Sequence, residues 1–419
     1  MNKNIACLIL AAGKSTRMKS DLPKVIHPIC GRPMVGYVVD LVNELKINRS
    51  IFVLGYKHKE VARFLPKGTK VIIQQRLIGT ADAVKQSARL LKNFQGTLLV
   101  LYADNPLLKK ETVKKLIRHH IENNLDATVL TAHLKNPTGY GRILRDKYSS
   151  ICGIIEDKDA DAFQKDIKEI NTGIACFNKK KLFAALSRIR PDNRKKEYYL
   201  TDIISILYKN GGLVDGVKIT DINEALGINT QLDLAKANRI MQERINSGLM
   251  QKGVTIIDPG TAFISFGTKI GKDTTIYPFT VIERGVRIGK RCLVGPFAHL
   301  REGTVLEDGV LLGNFLEVVR SRIGQKTWVK HFSYIGDSRI GRKVNIGAGT
   351  VTANFDGRQK NTTVIKDKAF IGSDTILVAP VKIGKQAIIG AGSVVTKRHN
   401  VSDGQTVFGV PARIYRKKK

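Results

Sequence analysis

In the last third of this chain an aliphatic residue returns every six positions, a spacing that neither an α-helix nor a flat strand produces. Ile270, Ile276, Ile282, Ile288, Val294, Leu300, Leu306, Leu312 and Val318 hold the register. Ile323, Val329 and Ile335 resume it, and Ile340 and Ile346 lead to one polar exception, Thr352. Ile365, Ile371, Leu377, Ile383, Ile389 and Val395 complete it. A parallel β-helix of hexapeptide repeats explains the period: each hexad is a short strand plus a turn, three hexads close a coil, and the aliphatics stack inside. The register predicts about seven coils. Glycines after the aliphatic position, among them Gly271, Gly289, Gly324, Gly341, Gly372 and Gly384, fit corners where a Cβ would be costly. Ala353–Lys360 breaks the register, as a loop projecting from the coil would.

Upstream the pattern is different. Ala6–Leu10, Ile51–Leu54, Val71–Ile73, Leu98–Tyr102 and Ala127–Ala132 read as strands, with helices over Met34–Leu45, Ala81–Leu91 and Glu111–Glu122 between them. This alternation implies an α/β domain with a mostly parallel sheet whose ligands sit at the C-terminal ends of the strands. Leu234, Ala237, Met241, Ile245 and Leu249 then recur at helical spacing, with Thr230 as N-cap and Asp233 in the first turn. The expected organisation is an α/β domain over 1–229, a linker helix over 230–253 and the β-helix over 254–419.

The formal net charge is +34. Nucleic acid, an anionic membrane and anionic small substrates all fit such a charge. Because the cations are spread along the chain without an RNA- or DNA-binding signature, a nucleic-acid role is disfavoured. The reading is a solvated basic surface that favours phosphorylated ligands. No apolar run reaches the length of a membrane span. The scattered Cys7, Cys30, Cys152, Cys176 and Cys292 lack CxxC spacing, which predicts reduced thiols, a cytoplasmic protein and no zinc site.

The first strand runs into Leu10-Ala11-Ala12-Gly13-Lys14-Ser15-Thr16-Arg17-Met18, with Lys24 soon after. A P-loop would need glycine where Leu8 stands, and no GxGxxG is present. What remains is a small-residue loop whose backbone N–H groups can wrap a triphosphate, with Arg17 and Lys24 supplying charge; the competing reading is an ordinary turn with solvated cations.

Together with Ser20-Asp21-Leu22-Pro23-Lys24-Val25, Leu101-Tyr102-Ala103-Asp104, Pro137–Arg142, Asn171-Thr172-Gly173, Glu197–Asp202 and Gly227-Ile228-Asn229, this loop resembles the sugar-1-phosphate nucleotidyltransferases. Within them it resembles the bifunctional uridylyltransferase/acetyltransferases, over nearly the whole chain. The resemblance implies a Rossmann-like mixed sheet, a linker helix and a left-handed parallel β-helix. It assigns Ala11, Ala12, Gly13, Gln74, Gly79 and Thr80 to the uracil nucleotide, and Arg17 and Lys24 to its phosphates. Gly139, Glu156 and Asn171 would bind the sugar, and Asp104 and Asn229 would ligate Mg²⁺. The implied reaction joins N-acetylglucosamine 1-phosphate to UTP in line, a step that needs positioning and charge neutralisation and no protein nucleophile.

In the β-helix, Lys330-His331-Phe332-Ser333-Tyr334 resembles the acetyltransferase's catalytic segment. The resemblance makes His331 the base that deprotonates the amine of glucosamine 1-phosphate before its attack on acetyl-CoA. It assigns Arg301, Tyr334, Asn345 and Lys360 to the acceptor. The Ala348 N–H would hold the oxyanion, with Asn354, Phe355, Ser373 and Ala391 along coenzyme A. A homotrimer making UDP-N-acetylglucosamine for cell-wall and lipopolysaccharide synthesis is implied. The chain departs from the family pattern in several places. Ser15 and Ala103 replace glycines, Phe355 replaces Tyr, and Val319 stands where a phosphate-contacting Lys is usual. Arg320 is adjacent, but neighbours on a strand face opposite ways, so it substitutes only where the backbone bulges. The competing readings are a nucleotidyltransferase whose β-helix is inactive or acts on another acceptor, and a non-catalytic trimeric scaffold.

Overall fold

Ile5–Ala11 is buried along its whole length because it lies mid-sheet and feeds two cores. Cys7 and Ile9 pack on one face with Val35, Val38, Val113 and Leu116, while Ala6, Leu8 and Leu10 pack on the other with Val84, Leu182 and Ile203. This is the period of two expected of a strand covered by helices on both sides. The computed structural model describes residues 4–415. It divides after Asn238 into two compact units.

The first unit is built on a nine-stranded mixed sheet. Its main path runs Val214–Lys218, Ala127–His133, Glu169–Asn178, Thr97–Tyr102, Ile5–Ala11, Arg49–Leu54, Lys70–Ile73. Ile5–Ala11 is parallel to both neighbours, whereas Glu169–Asn178 is antiparallel to both of its own, and this reversal mid-sheet was not legible from hydrophobic periodicity. The helix expected over Ala81–Leu91 is shorter: Thr80–Lys85 is α-helical and Gln86–Ala88 tightens to a 3₁₀ turn.

The helix Gln231–Met250 begins at a capping pair. The Asp233 N–H donates to Thr230 Oγ1 at 3.1 Å, and the Thr230 N–H donates to Asp233 Oδ2 at 2.9 Å. In the second unit the end of this helix closes the β-helix. Leu249 joins the aliphatic core, and Gln242 receives the Ile264 N–H at 3.1 Å and donates to the Ile264 carbonyl at 3.2 Å. Asn246 donates to the Ala262 carbonyl at 3.1 Å. These buried amides pair backbone groups at the edge of the first coil, where no preceding coil exists.

Three sheets of ten, eight and seven strands form the β-helix. They begin at Thr255–Ile256, Phe263–Ile264 and Lys269–Ile270, so the coils start ahead of Ile270 and outnumber the seven that the hexad register gave. The aliphatic positions form one continuous core. Thr352 fits inside because its hydroxyl accepts from the Gly336 N–H at 2.7 Å, which leaves no orphaned polar group. A Cβ on Gly271 would lie 2.7 Å from the Gly289 backbone, so close approach of the next coil explains glycine there. The left-handed corner positions hold other residues, among them Phe279, Phe297, Lys326 and Lys343. No helix among the described residues is long and apolar enough to cross a membrane.

Candidate active sites

At the C-terminal end of Ile5–Ala11 the chain turns through Ala12 and Gly13 into Ser15, which is left-handed at φ 56°. A side chain is disfavoured there and a glycine would be cheaper, yet Ser15 adopts the conformation, half-buried and lining the cavity, with its hydroxyl 3.5 Å from the Gly13 carbonyl. Ala103, the other replacement, is wholly buried. The loop, with Lys24, Gln74, Gly79, Thr80, Tyr102 and Asp104, encloses a cavity of about 360 Å³. A second cavity of about 370 Å³ is lined by Arg17, Gly139, Glu156, Asn171 and Asn229. Thr80, Tyr102, Asp104 and Glu197 line both. The residues assigned from sequence to nucleotide and to sugar thus form two compartments that meet at Asp104.

Gly79 shows why the nucleotide side is built as it is. Its φ is 126°, and a Cβ would lie 2.3 Å from the Tyr198 carbonyl oxygen. The strip is stitched by the Tyr198 N–H donating to the Ile78 carbonyl and the Ala81 N–H to the Tyr198 carbonyl, at 2.8 and 2.9 Å. Gln74, buried, donates to the Gly79 carbonyl at 3.1 Å and to Asp82 at 2.7 Å. In the sugar compartment, burial raises the Glu156 carboxyl above its ordinary value, and Thr201 donates to it at 3.1 Å.

At the junction the Lys24 ammonium donates to Asp104 Oδ2 at 2.5 Å and to Asn229 Oδ1 at 3.0 Å, and Arg17 also reaches Asn229 Oδ1 at 3.0 Å. A carboxylate and an amide oxygen therefore converge on one cationic position. Asn229 is itself held by its N–H donating to Asp233 at 3.0 Å. Among the described residues no cluster of three or more His, Cys, Asp or Glu forms a protein-only metal cage.

On the β-helix, His331, Ala348, Ser373 and Ala391 occupy the same corner on successive coils, each two residues beyond a strand of the ten-stranded sheet. His331, Ser373 and Ala391 are exposed, and the Ala348 N–H makes no hydrogen bond among the described residues. The next corner position holds Phe279, Phe297, Phe315 and Phe332 up to the His331 coil, then Gly349, Asp374 and Gly392. The bulky aromatic corner thus ends at the histidine coil and continues in smaller residues. Tyr334 stands in register with Glu317 and His299 on the following sheet, while Asn345 lies on the sheet before the corner. Lys360 pairs antiparallel with the exposed Phe355 in the projecting loop.

The sequence reading missed the carboxylates that hold this site's cations. Arg301 donates to Glu317 at 2.7 Å, and Arg320 is bidentate on Asp337 at 2.6 and 2.8 Å. Asp337 also accepts from Asn354, whose amide is 3.5 Å from the Tyr334 hydroxyl. Only this three-dimensional pairing marks Glu317 and Asp337; their local sequence carries no signal. Val319 is 2% exposed, so its position offers no place for a solvated cation in this backbone. The strand ends at Val319 and Arg320 is left-handed at φ 46°, which breaks the alternation that would have turned it away.

The family model described as MobA-like NTP transferase domain matches residues 7–197. The bacterial transferase hexapeptide model matches 267–302 and 362–397. The bifunctional protein GlmU of Thermosipho africanus (strain TCF52B) is 45% identical over 93% of this chain and 92% of its own length. The chain belongs to the GlmU family. The GlmU proteins of Geobacillus sp. (strain WCH70) and Lactococcus lactis subsp. lactis (strain IL1403) are each 43% identical, over 93% and 95% of this chain and 92% and 93% of their own lengths. Both catalytic halves of GlmU are therefore present: a nucleotidyltransferase domain and a hexapeptide acyltransferase domain.

Proposed function

We propose that this GlmU-family enzyme makes UDP-N-acetylglucosamine in two steps. Acetyl-CoA first acetylates glucosamine 1-phosphate at the β-helix; UTP then uridylylates the N-acetylated product in the α/β unit. The observation that carries the reading is the pair of compartments sharing Asp104, which lets a nucleotide and a sugar phosphate meet at one charged point.

In the uridylyl site Ala11, Ala12, Gly13, Gln74, Gly79 and Thr80 bind the nucleotide, while Arg17 and Lys24 face its phosphates. Gly139, Glu156 and Asn171 hold the sugar. Asp104 and Asn229 fit Mg²⁺: two oxygens already converge on one cation, and Mg²⁺ takes few protein ligands plus phosphate oxygens. When bound, the ion neutralises phosphate charge as it develops. The chain's own part is to orient the sugar phosphate oxygen in line with the α-phosphorus, with Lys24 and Arg17 offsetting charge on the departing pyrophosphate.

In the acetyl site the His331 imidazole takes a proton from the amine as it attacks the thioester carbonyl. The free N–H of Ala348, one coil on, is suited to the oxyanion. Arg301, Tyr334, Asn345 and Lys360 bind the acceptor, and Asn354, Phe355, Ser373 and Ala391 line the coenzyme A groove. A homotrimer is supported by the stack of Phe279, Phe297 and Phe315, with ring centroids 4.9 Å apart and each ring about half exposed. It runs along the corner to Phe332 beside His331, so a second copy seated there would cover the site. A cytoplasmic location is supported by five free cysteines. The test is product analysis with glucosamine 1-phosphate, acetyl-CoA, UTP and Mg²⁺, omitting each donor in turn. Without UTP, N-acetylglucosamine 1-phosphate should accumulate; without acetyl-CoA, no nucleotide sugar should form. UDP-glucosamine as the main product would overturn the order.

A further inference from the structure

The opposite corner of the β-helix, where the seven-stranded sheet turns into the ten-stranded one, carries a feature that neither reaction uses. The third residue beyond each strand there is left-handed, a conformation cheapest for glycine or asparagine. On three successive coils that residue is lysine: Lys326, Lys343 and Lys368, with φ of 56°, 54° and 59°. Coils stack at the strand spacing of about 4.8 Å, so the three ammonium groups leave one edge of the molecule close together and repel one another. Neighbouring coils do not share the problem, since the same position is Gly309 on the coil below and Gln386 on the coil above.

These lysines, with Gln325, Arg342 and Asp367, line a concavity of about 220 Å³. Its single carboxylate is already committed. Asp367 accepts from the Arg342 N–H at 2.9 Å and from the Arg342 guanidinium at 3.1 Å. None of the three lysines has an ion-pair partner among the described residues. The backbone N–H groups of all three donate to the coil below, so the side chains alone face the cavity. The result is a concave site with surplus positive charge and stacked, rotatable donors, which suits an anion with several oxygens on adjacent phosphoryl groups.

We infer that the corner formed by Lys326, Lys343 and Lys368 is a binding site for a diphosphate group. The cavity has room for phosphoryl groups and not for a whole nucleotide, so any base or sugar attached to them would lie outside it. Among the molecules of the proposed reactions, free pyrophosphate, the nucleotide sugar and coenzyme A carry a diphosphate, and UTP carries it within its triphosphate. The site lies on a different corner of the β-helix from His331 and does not depend on either assignment.

The test is lysine footprinting of the full chain with an amine-reactive acetylating reagent, read by mass spectrometry at each lysine. Pyrophosphate, UDP-N-acetylglucosamine and coenzyme A are added in separate arms, each at matched ionic strength against sodium chloride. At about ten times the dissociation constant, labelling of Lys326, Lys343 and Lys368 should fall about tenfold in at least one arm, with Lys269 on another coil unchanged. The arm that protects identifies the source of the diphosphate. The double variant Lys343→Gln/Lys368→Gln, whose changes are exposed, should lose protection at Lys326 in the arm that protects the wild type, while labelling of Lys269 stays as in the wild type. Equal labelling with and without all three ligands, or equal protection by sodium chloride, would overturn the site.

Discussion

Gly79→Ala is the sharpest perturbation of the nucleotide compartment, because the structure fixes both what the new methyl meets and what it disturbs. The Cβ would lie 2.3 Å from the Tyr198 carbonyl oxygen and 2.6 Å from the Tyr198 nitrogen, both backbone atoms held by hydrogen bonds to Ile78 and Ala81. No side-chain rotation relieves that contact. Forcing alanine into φ 126° costs about 1–3 kcal/mol as backbone strain, and overpacking adds about 1–3 kcal/mol. The cheapest relaxation moves the Ile78–Ala81 strip off Tyr198, which also moves the carbonyl that holds Gln74. If UTP binding must pull the strip back, about 3 kcal/mol appears as a KM for UTP raised roughly 100-fold. The assay is uridylyl transfer from ready-made N-acetylglucosamine 1-phosphate across UTP concentrations, with acetyl transfer and the melting temperature measured alongside. Acetyl transfer should be normal, since His331 lies in the other unit. An unchanged KM for UTP together with an unchanged melting temperature would refute the reasoning.

His331→Ala should lower acetyl transfer by about 10²–10⁴-fold and leave uridylyl transfer near normal; a wild-type acetylation rate would make the histidine structural. Arg320→Ala should raise the KM for glucosamine 1-phosphate roughly fivefold with little change in kcat, the worth of a partly solvated ionic contact of about 1 kcal/mol. Val319→Lys should lower the melting temperature without lowering that KM, because the position is buried; a lowered KM would show that the strand opens to present the lysine. Asp202 is raised from its ordinary value to about 6, first by burial and then by Glu156 and Asp159. Its neutral form is thus favoured in the folded state, so the stability it confers is present below pH 4 and lost as pH rises through about 6. Asp202→Asn should therefore raise the melting temperature at pH 8, by about 1 kcal/mol of stability once solvent screening is allowed for, and not at pH 4. Equal gains at both pH values would refute a charge origin.

How far the fold could be read in advance followed from which forces repeat along the chain. Inward aliphatics recur because every coil must fill the same core, so Ile270 through Val395 announced the β-helix. Thr230 and Asp233 announced a helix start because a cap is local chemistry. The coil count fell short because it began at Ile270: Ile264 lies six residues before it, but Ile256 lies eight before Ile264, and Gln242 and Asn246 of the preceding helix, not another coil, pair the first coil's edge. The antiparallel strand Glu169–Asn178 was missed because pairing direction is set between distant segments. The same division holds at the sites. Loop residues such as Gly79 and Lys24 stand out because backbone approach and charge restrict which residues can be there. Glu317 and Asp337 do not, since a carboxylate becomes specific only through the cation it faces. Val319 looked like a deficit for the same reason: sequence shows the lost lysine but not that its position is buried and the next residue turned. Arg320, left-handed and clamped by Asp337 next to Asn354 and Tyr334, puts a positive charge one residue along the chain, and the Arg320→Ala measurement decides whether that charge serves the acceptor.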